Sequence, residues 1–253
     1  MAVYDEQMST VETQIHGNVV QLTINRPERR NAVDHQTLVA LAFGLEAAIA
    51  SSARVVVLTG AGGTFSAGAD LSGVEGAEFA GALLKVLTLL STAPIVTIAA
   101  VDGPALGAGT QLASFCDLRT ATPDSRFGIP AAKLGLAIDR ETVQRVVELC
   151  GGATARAMLL SADTIDGERA FNLGYVQRVG DLSTAMLWAE EIASLAPLTL
   201  RAHKMSLVSL REPSDGPLAA KARGAAAAAW ASNDLVEGRA AFMEKRKPNF
   251  QGS

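Results

Sequence analysis

Apolar and polar positions divide the chain into a first half of alternating strand and helix patterns and a second half that is almost wholly helical in pattern. Val19 to Ile24 has the β-branched content of a strand, and Asn25-Arg26-Pro27 ends it. After Asp34, a residue type suited to an N-cap, Leu38, Leu41, Leu45 and Ile49 fall near one helical face, which predicts a helix through Ala50. Arg54 to Thr59, RVVVLT, is the short continuous apolar run expected of a strand covered on both faces. A second pass follows. It has a glycine-rich loop from Gly60 to Asp70, a helical pattern over 77–92, an apolar strand opened by Pro94 and broken at Asp102-Gly103-Pro104, a helix opening at Gly107-Ala108-Gly109, and a strand from Asp117 to Thr122. Two such passes predict a wound α/β core with its loops converging at one end.

Beyond Phe127-Gly128-Ile129-Pro130 the periodicity predicts helices over Arg140 to Leu149, Thr154 to Leu160, Asp166 to Asn172, Ser183 to Leu195 and Pro197 to Leu210, with Pro197 placed as a first helical residue. The stretch 217–246 contains Gly224, the run Ala225 to Ala229, and Trp230. Those residues suit a packing surface between subunits, and plain helix propensity explains the alanines equally well. The expected division is a core over 1–195 and a C-terminal helical oligomerisation region over 196–253.

Composition narrows the function. The 253 residues are 49% apolar and 19% charged, which suits an interior-rich globular protein rather than a disordered one. The most apolar stretch, between Lys85 and Asp102, is interrupted by Ser, Thr and Pro94 and is shorter than the roughly 20 residues of a spanning helix. Asp5 and Glu6 stand where a signal peptide would be basic, so a cytoplasmic location is expected. A net charge of −4 gives no general case for nucleic-acid binding. Cys116 and Cys150 lack ligand spacing and read as buried thiols, and His16, His35 and His203 are too scattered to advertise a metal site. Basic residues gather at Arg26, Arg29 and Arg30 and again at Lys245, Arg246 and Lys247; such clusters are either solvated surface or a seat for phosphates.

Two glycine-bearing segments remain as candidate chemistry. The loop from Gly60 fails as a dinucleotide fingerprint, because Phe65 occupies the sixth position of GxGxxG, and no GK[ST] exists for a P-loop. The helix start at Gly107-Ala108-Gly109 presents unpaired N–H groups at the positive end of a helix dipole, where a small residue lets an oxygen atom approach.

In combination these segments resemble the crotonase superfamily, the enoyl-CoA hydratase and isomerase family, over nearly the whole chain. The resemblance rests on Asn25-Arg26-Pro27 with Asn31-Ala32, Phe65-Ser66-Ala67-Gly68-Ala69-Asp70-Leu71, Asp102-Gly103-Pro104-Ala105-Leu106-Gly107-Ala108-Gly109, Cys116-Asp117, Phe127-Gly128-Ile129-Pro130 and the ending Phe242-Met243-Glu244-Lys245-Arg246-Lys247-Pro248. It implies a spiral of ββα units with a C-terminal helical region that trimerises, often as a dimer of trimers. The implied ligand is an acyl- or enoyl-CoA thioester, with coenzyme A present only as part of that ligand.

The resemblance also implies roles for individual residues. The N–H groups of Ala69 and Ala108 match the pair that binds the thioester carbonyl, where two fixed donors stabilise developing enolate charge by several kcal/mol. Arg26, Arg29, Arg30, Ala67, Asp70, Leu71 and Lys245 match positions around the nucleotide and phosphates of coenzyme A. Hydratases of the family carry one glutamate a helical turn after the oxyanion donor and another just after the FGxP turn. Those positions here are Gln111 and Ala131. An amide cannot shuttle a proton at neutral pH, and loss of a general acid/base typically sacrifices about 10²- to 10⁴-fold in rate.

Asp139 falls where dienoyl-CoA isomerases and chlorobenzoyl-CoA dehalogenases of the superfamily hold a catalytic aspartate. It also reads as an N-cap for the helix beginning at Arg140, as an ion-pair partner of Arg140 or Lys133, or as a polar contact to ligand. Three functions stay open: a fatty acyl-CoA binder in lipid metabolism without efficient turnover, like family members that lack both glutamates; an isomerase or other enolate-forming enzyme using Asp139; and a hydratase relying on another base, such as Glu141.

Overall fold

The computed structural model describes residues 10–70, 77–211 and 215–253. β1 (Val11–His16) and β2 (Val19–Ile24) form a hairpin, α1 (His35–Ala50) leads to β3 (Val55–Gly60), and α2 (Ala77–Thr92) leads to β4 (Val96–Val101). β5 (Pro104–Leu106) and α3 (Ala108–Phe115) precede β6 (Leu118–Ala121) and β7 (Arg126–Gly128). Then come α4 (Arg140–Arg156), β8 (Ile165–Asp166), α5 (Gly167–Asn172), β9 (Arg178–Val179) and α6 (Leu182–Ala193). α7 (Pro197–Ser209), α8 (Pro217–Trp230) and α9 (Asn233–Met243) complete the described chain.

The main sheet runs β1-β2-β3-β4-β6-β9, with β1 antiparallel to β2 and the other neighbours parallel. A smaller sheet of β5-β7-β8 stands beside it. Period-2 alternation splits the side chains of the main sheet between two cores. Val20, Leu22, Ile24, Val56 and Leu58 point into the cluster that contains Leu38, Leu41 and Leu45 of α1 and Leu87 and Leu90 of α2. Val19, Val55, Val57, Val96 and Ile98 point the other way, onto Ala185, Ala189 and Ile192 of α6. Covering on both faces explains why β3 reads as an unbroken apolar run.

Several elements differ from the sequence expectation. β1 has the pattern VETQIH, with only Val11 buried, so an edge strand this exposed offers little apolar signal. The two helices expected between Arg140 and Leu160 form α4, broken at Gly151 (φ +78°), followed by a π-helical turn from Ala157 to Ser161. The stretch 217–246 divides at Ser232, whose hydroxyl accepts the Leu235 N–H at 3.2 Å and starts α9. α7 and α8 pack along each other. Lys204 of α7 ties them to the core: its Nζ lies 2.7 Å from Asp117 Oδ2 and donates at 2.9 Å to the carbonyls of Leu90 and Ile95. Among the described residues, no helix is long and apolar enough to cross a membrane.

Candidate functional site

Three loops follow the C-terminal ends of β2, β3 and β4, and they interlock. Asn31, fully buried at φ +54°, donates from Nδ2 to the carbonyls of Ala61 (2.8 Å) and Thr64 (2.5 Å) and accepts the Arg26 N–H on Oδ1 at 2.9 Å. It thereby joins the arginine loop to the glycine loop. Phe65 N–H then donates to Asp102 O (2.8 Å), Ser66 N–H to Pro104 O (2.9 Å), and Leu106 N–H to Ser66 O (2.9 Å). These bonds lay the 65–69 segment against β5 and the start of α3.

That seating brings Ala69 and Ala108 to the same place. Val33 donates to Gly68 O and accepts the Asp70 N–H, both at 2.8 Å, so the parallel bridge uses the groups on either side of Ala69 and leaves the Ala69 N–H pointing away. Ala108 opens α3 behind Gly107, whose φ of +53° reverses the chain there. Among the described residues neither the Ala69 nor the Ala108 N–H has a hydrogen-bond partner. The approach is close: a Cβ at Gly68 (φ +107°) would lie 2.8 Å from Leu106 O and 3.7 Å from Ala108 N, and one at Gly109 would lie 2.5 Å from Ser66 O. Glycine at 68 and 109 is what allows two backbone donors to converge.

α3 is buried along its whole length. Its C-terminus is held by two guanidinium groups, with Arg119 Nη1 donating to Ala113 O (3.0 Å) and Cys116 O (2.9 Å), and Arg145 Nε donating to Ser114 O (2.8 Å). Positive charge there suits the negative end of the helix and leaves its N-terminal donors free. Burial, and then the neighbouring Arg211 and Arg119, push the Arg145 pKa down to about 10, still well above neutral, so the clamp stays charged.

The acid/base positions are arranged as follows. Gln111, 6% exposed, donates from Nε2 to Thr142 Oγ1 at 3.1 Å. Thr142 donates from Oγ1 to Asp139 Oδ2 (2.7 Å) and from its N–H to Asp139 Oδ1 (2.8 Å). Asp139 is therefore the N-cap of α4, and its carboxylate is joined to Gln111 through a single hydroxyl. Ala131, on the short 3-10 helix Pro130–Leu134, is half-buried against the core cluster that contains Ala108 and against which Ala69 also packs. Glu141 points elsewhere, toward Arg211 at 3.6 Å.

Residues expected around coenzyme A fall into two groups. The Arg26 guanidinium is held internally, with Nη2 at 3.0 Å from both Asp34 and Asp70 and Nη1 donating to Ala32 O. It braces the segment carrying Ala69. Arg29 and Arg30 are exposed, and the Arg30 carbonyl accepts the Ala67 N–H at 2.9 Å, placing both arginines beside the half-buried Ala67. Lys245 is exposed behind α9, with no hydrogen bond from its side chain to these loops. Leu71 lies outside the described residues. A surface hollow of about 820 Å³ opens at the opposite ends of β2 and β3, but its Arg54 is spent on the carbonyls of Ala193 (3.0 Å) and Phe250 (2.7 Å).

A family model described as enoyl-CoA hydratase/isomerase matches residues 14–253. The chain belongs to the enoyl-CoA hydratase/isomerase family. It is 41% identical over 241 residues to the "Probable enoyl-CoA hydratase echA6" of Mycobacterium tuberculosis, covering 93% of this chain and 96% of that protein. It is 36% identical over 243 residues to the 2,3-dehydroadipyl-CoA hydratase of Escherichia coli, covering 92% and 95%. The crystal structure of an enoyl-CoA hydratase from Mycobacterium tuberculosis H37Rv superposes with a TM-score of 0.86 at 32% identity, covering 97% of this chain and all of that one.

Within this family member, sequence reasoning singled out Asn31 without its bracing role and missed Thr142, Arg119 and Arg145. Thr142 stands three residues after an N-cap aspartate, a spacing that was readable. The roles of Asn31 and the two arginines depend on partners 30 or more residues away or on the burial of α3, which no local pattern carries.

Proposed function

We propose that this chain holds a fatty acyl- or enoyl-CoA thioester on the N–H groups of Ala69 and Ala108 and does not hydrate it efficiently, acting as a carrier or sensor in lipid metabolism. One observation carries the reading: two unpartnered backbone donors converge one helical turn before an amide, Gln111, and the second position that hydratases use for proton transfer is an alanine, Ala131, so neither offers a titratable group. Arg29 and Arg30 beside Ala67 are the cations free to meet the phosphates, with Asp70 and Lys245 as further nucleotide contacts. Exposed Leu207, Trp230, Val236, Phe242 and Met243 on the C-terminal helices favour a homotrimer, alone or paired.

A second reading is supported by the exposed Asp139 carboxylate, one hydroxyl from Gln111: enolate chemistry such as isomerisation with Asp139 as the proton carrier. Purified wild-type protein and Asp139→Asn are assayed with a series of acyl- and enoyl-CoAs, with affinity from calorimetry and products from mass spectrometry. Tight binding without product is the expected result. Turnover lost in Asp139→Asn would overturn the holding function in favour of isomerisation, and turnover that survives it would point to another base.

A further inference from the structure

β1 is the outer strand of the main sheet, and its register with β2 is unbroken from Val11 opposite Ile24 to His16 opposite Val19. One bond shows which of its backbone groups face outward. The Thr10 carbonyl accepts the Asn25 N–H at 2.9 Å, so the even-numbered residues turn their N–H and C=O groups onto β2. The odd-numbered residues present theirs to the outside, and among the described residues those of Thr13 and Ile15 have no partner.

Natural sheets protect such an edge with lysine, proline, a bulge or a covering loop. β1 has no lysine, proline or bulge, every residue after Val11 is exposed, and its one carboxylate, Glu12, accepts from Asn25 Nδ2 at 2.5 Å. Ile15, 72% exposed, lies on the same face as Val11, which packs into the cluster beneath α1; Val39 and Phe43 of α1 are exposed as well.

The strand is complementary to itself. Turned about a two-fold axis through Gln14, a second β1 runs antiparallel and sets Thr13 opposite Ile15 of the second copy, and Ile15 opposite its Thr13. These residues then exchange N–H···O=C bonds and use every free backbone group of both. The same register sets Glu12 opposite His16 of the second copy at either end, as non-hydrogen-bonded pairs whose side chains come closest. Acid therefore meets imidazole twice, and sliding the second strand by two residues in either direction breaks both pairs. On the other face, β-branched Thr13 and Ile15 pack across the two strands.

We propose that β1 is a self-association edge, on which a second copy of this chain pairs antiparallel about Gln14 and joins two main sheets into one. The pairing uses none of the C-terminal residues invoked above for a trimer, so it doubles whichever unit is present, a single chain or a trimer.

The test compares wild type with Thr13→Pro by sedimentation velocity across a concentration series. The substitution removes an outward N–H and no bond to β2, and proline is tolerated at such a position of an edge strand. Thr13→Pro is expected to sediment at half the wild-type mass with its thermal midpoint and thioester affinity unchanged. Gln14→Cys stands on the axis, where a non-hydrogen-bonded pair holds Cα atoms about 4.5 Å apart, within disulfide range. Mild oxidation should join two chains of Gln14→Cys and not of Thr13→Cys; the native Cys116 and Cys150 are buried. His16→Glu opposes carboxylates at both ends and should weaken association by about fivefold or more, and adding Glu12→Lys should restore it. Equal masses for wild type and Thr13→Pro, or no cross-link in Gln14→Cys, would overturn the inference. A cross-link in Thr13→Cys as strong as in Gln14→Cys would overturn the register, and should Thr13→Pro unfold, the cross-link alone decides.

Discussion

Gly109→Ala tests the geometry on which the site depends. A Cβ at 109 would lie 2.5 Å from Ser66 O and 3.0 Å from Ser66 Cβ, and Ser66 is fully buried and hydrogen-bonded at both N–H and carbonyl. An ordinary carbon–oxygen contact is about 3.3–3.6 Å, so α3 and the 66–69 segment must separate by roughly 0.8–1.1 Å. Overpacking of this kind costs about 1–3 kcal/mol, against a helix-propensity gain of about 1 kcal/mol for replacing glycine by alanine. An oxyanion donor works within about 2.7–3.1 Å, so a displacement near 1 Å removes one of the two donors from range. Loss of one such hydrogen bond lowers thioester affinity by about fivefold or more. Gly224→Ala is the control, since a Cβ on that exposed helical residue meets nothing within 4 Å and should raise stability. Calorimetric titration with decanoyl-CoA and thermal unfolding read both effects. Wild-type affinity in Gly109→Ala together with a melting temperature at or above that of wild type would refute the close approach of the two loops.

Restoring both glutamates, as Gln111→Glu with Ala131→Glu, should give detectable hydration of crotonyl-CoA, followed by loss of the enoyl absorbance; continued inactivity would mean that the Ala69 and Ala108 donors are not aimed at a thioester. Lys204→Met strips Asp117 and two carbonyls of their cation, and because Thr97 still donates to Asp117 the cost should be near 3 kcal/mol, or roughly 6–12 °C in thermal midpoint. An unchanged midpoint would remove Lys204 as the tie between α7 and the core. Burial pushes the Cys116 thiol up to about 12 from an ordinary 9.0, so the native protein should resist iodoacetamide at pH 8 until it unfolds. The sign of the accompanying pH effect is set by the raised value: the neutral thiol's stabilisation is complete below about pH 9 and is lost as pH rises toward 12, where the unfolded chain alone ionises first. Cys116→Ala should flatten the alkaline fall in thermal midpoint, and an identical fall in both proteins would exclude this thiol as its source.

The sequence by itself determined the periodic elements and the backbone exceptions. The helix after Asp34, the doubly covered β3 and the helix begun by Pro197 all stand where local pattern put them, because burial on one face or two imposes a repeat that side chains must obey. The identities at 111 and 131 were equally legible, and so was the unfitness of both for proton transfer. Tertiary structure alone decided what those residues face. Arg26, open in the sequence to a phosphate-binding or a surface role, is held between Asp34 and Asp70, the second of them 44 residues away. Asp139, open to four readings in the sequence, caps α4 and reaches Gln111 through Thr142. The convergence of the Ala69 and Ala108 N–H groups required β3 and β4 to pair in parallel and two glycines to admit backbone against backbone. Local patterns report which face of an element is buried; they carry no information on which distant group will occupy the space, and the function of this site resides in that pairing.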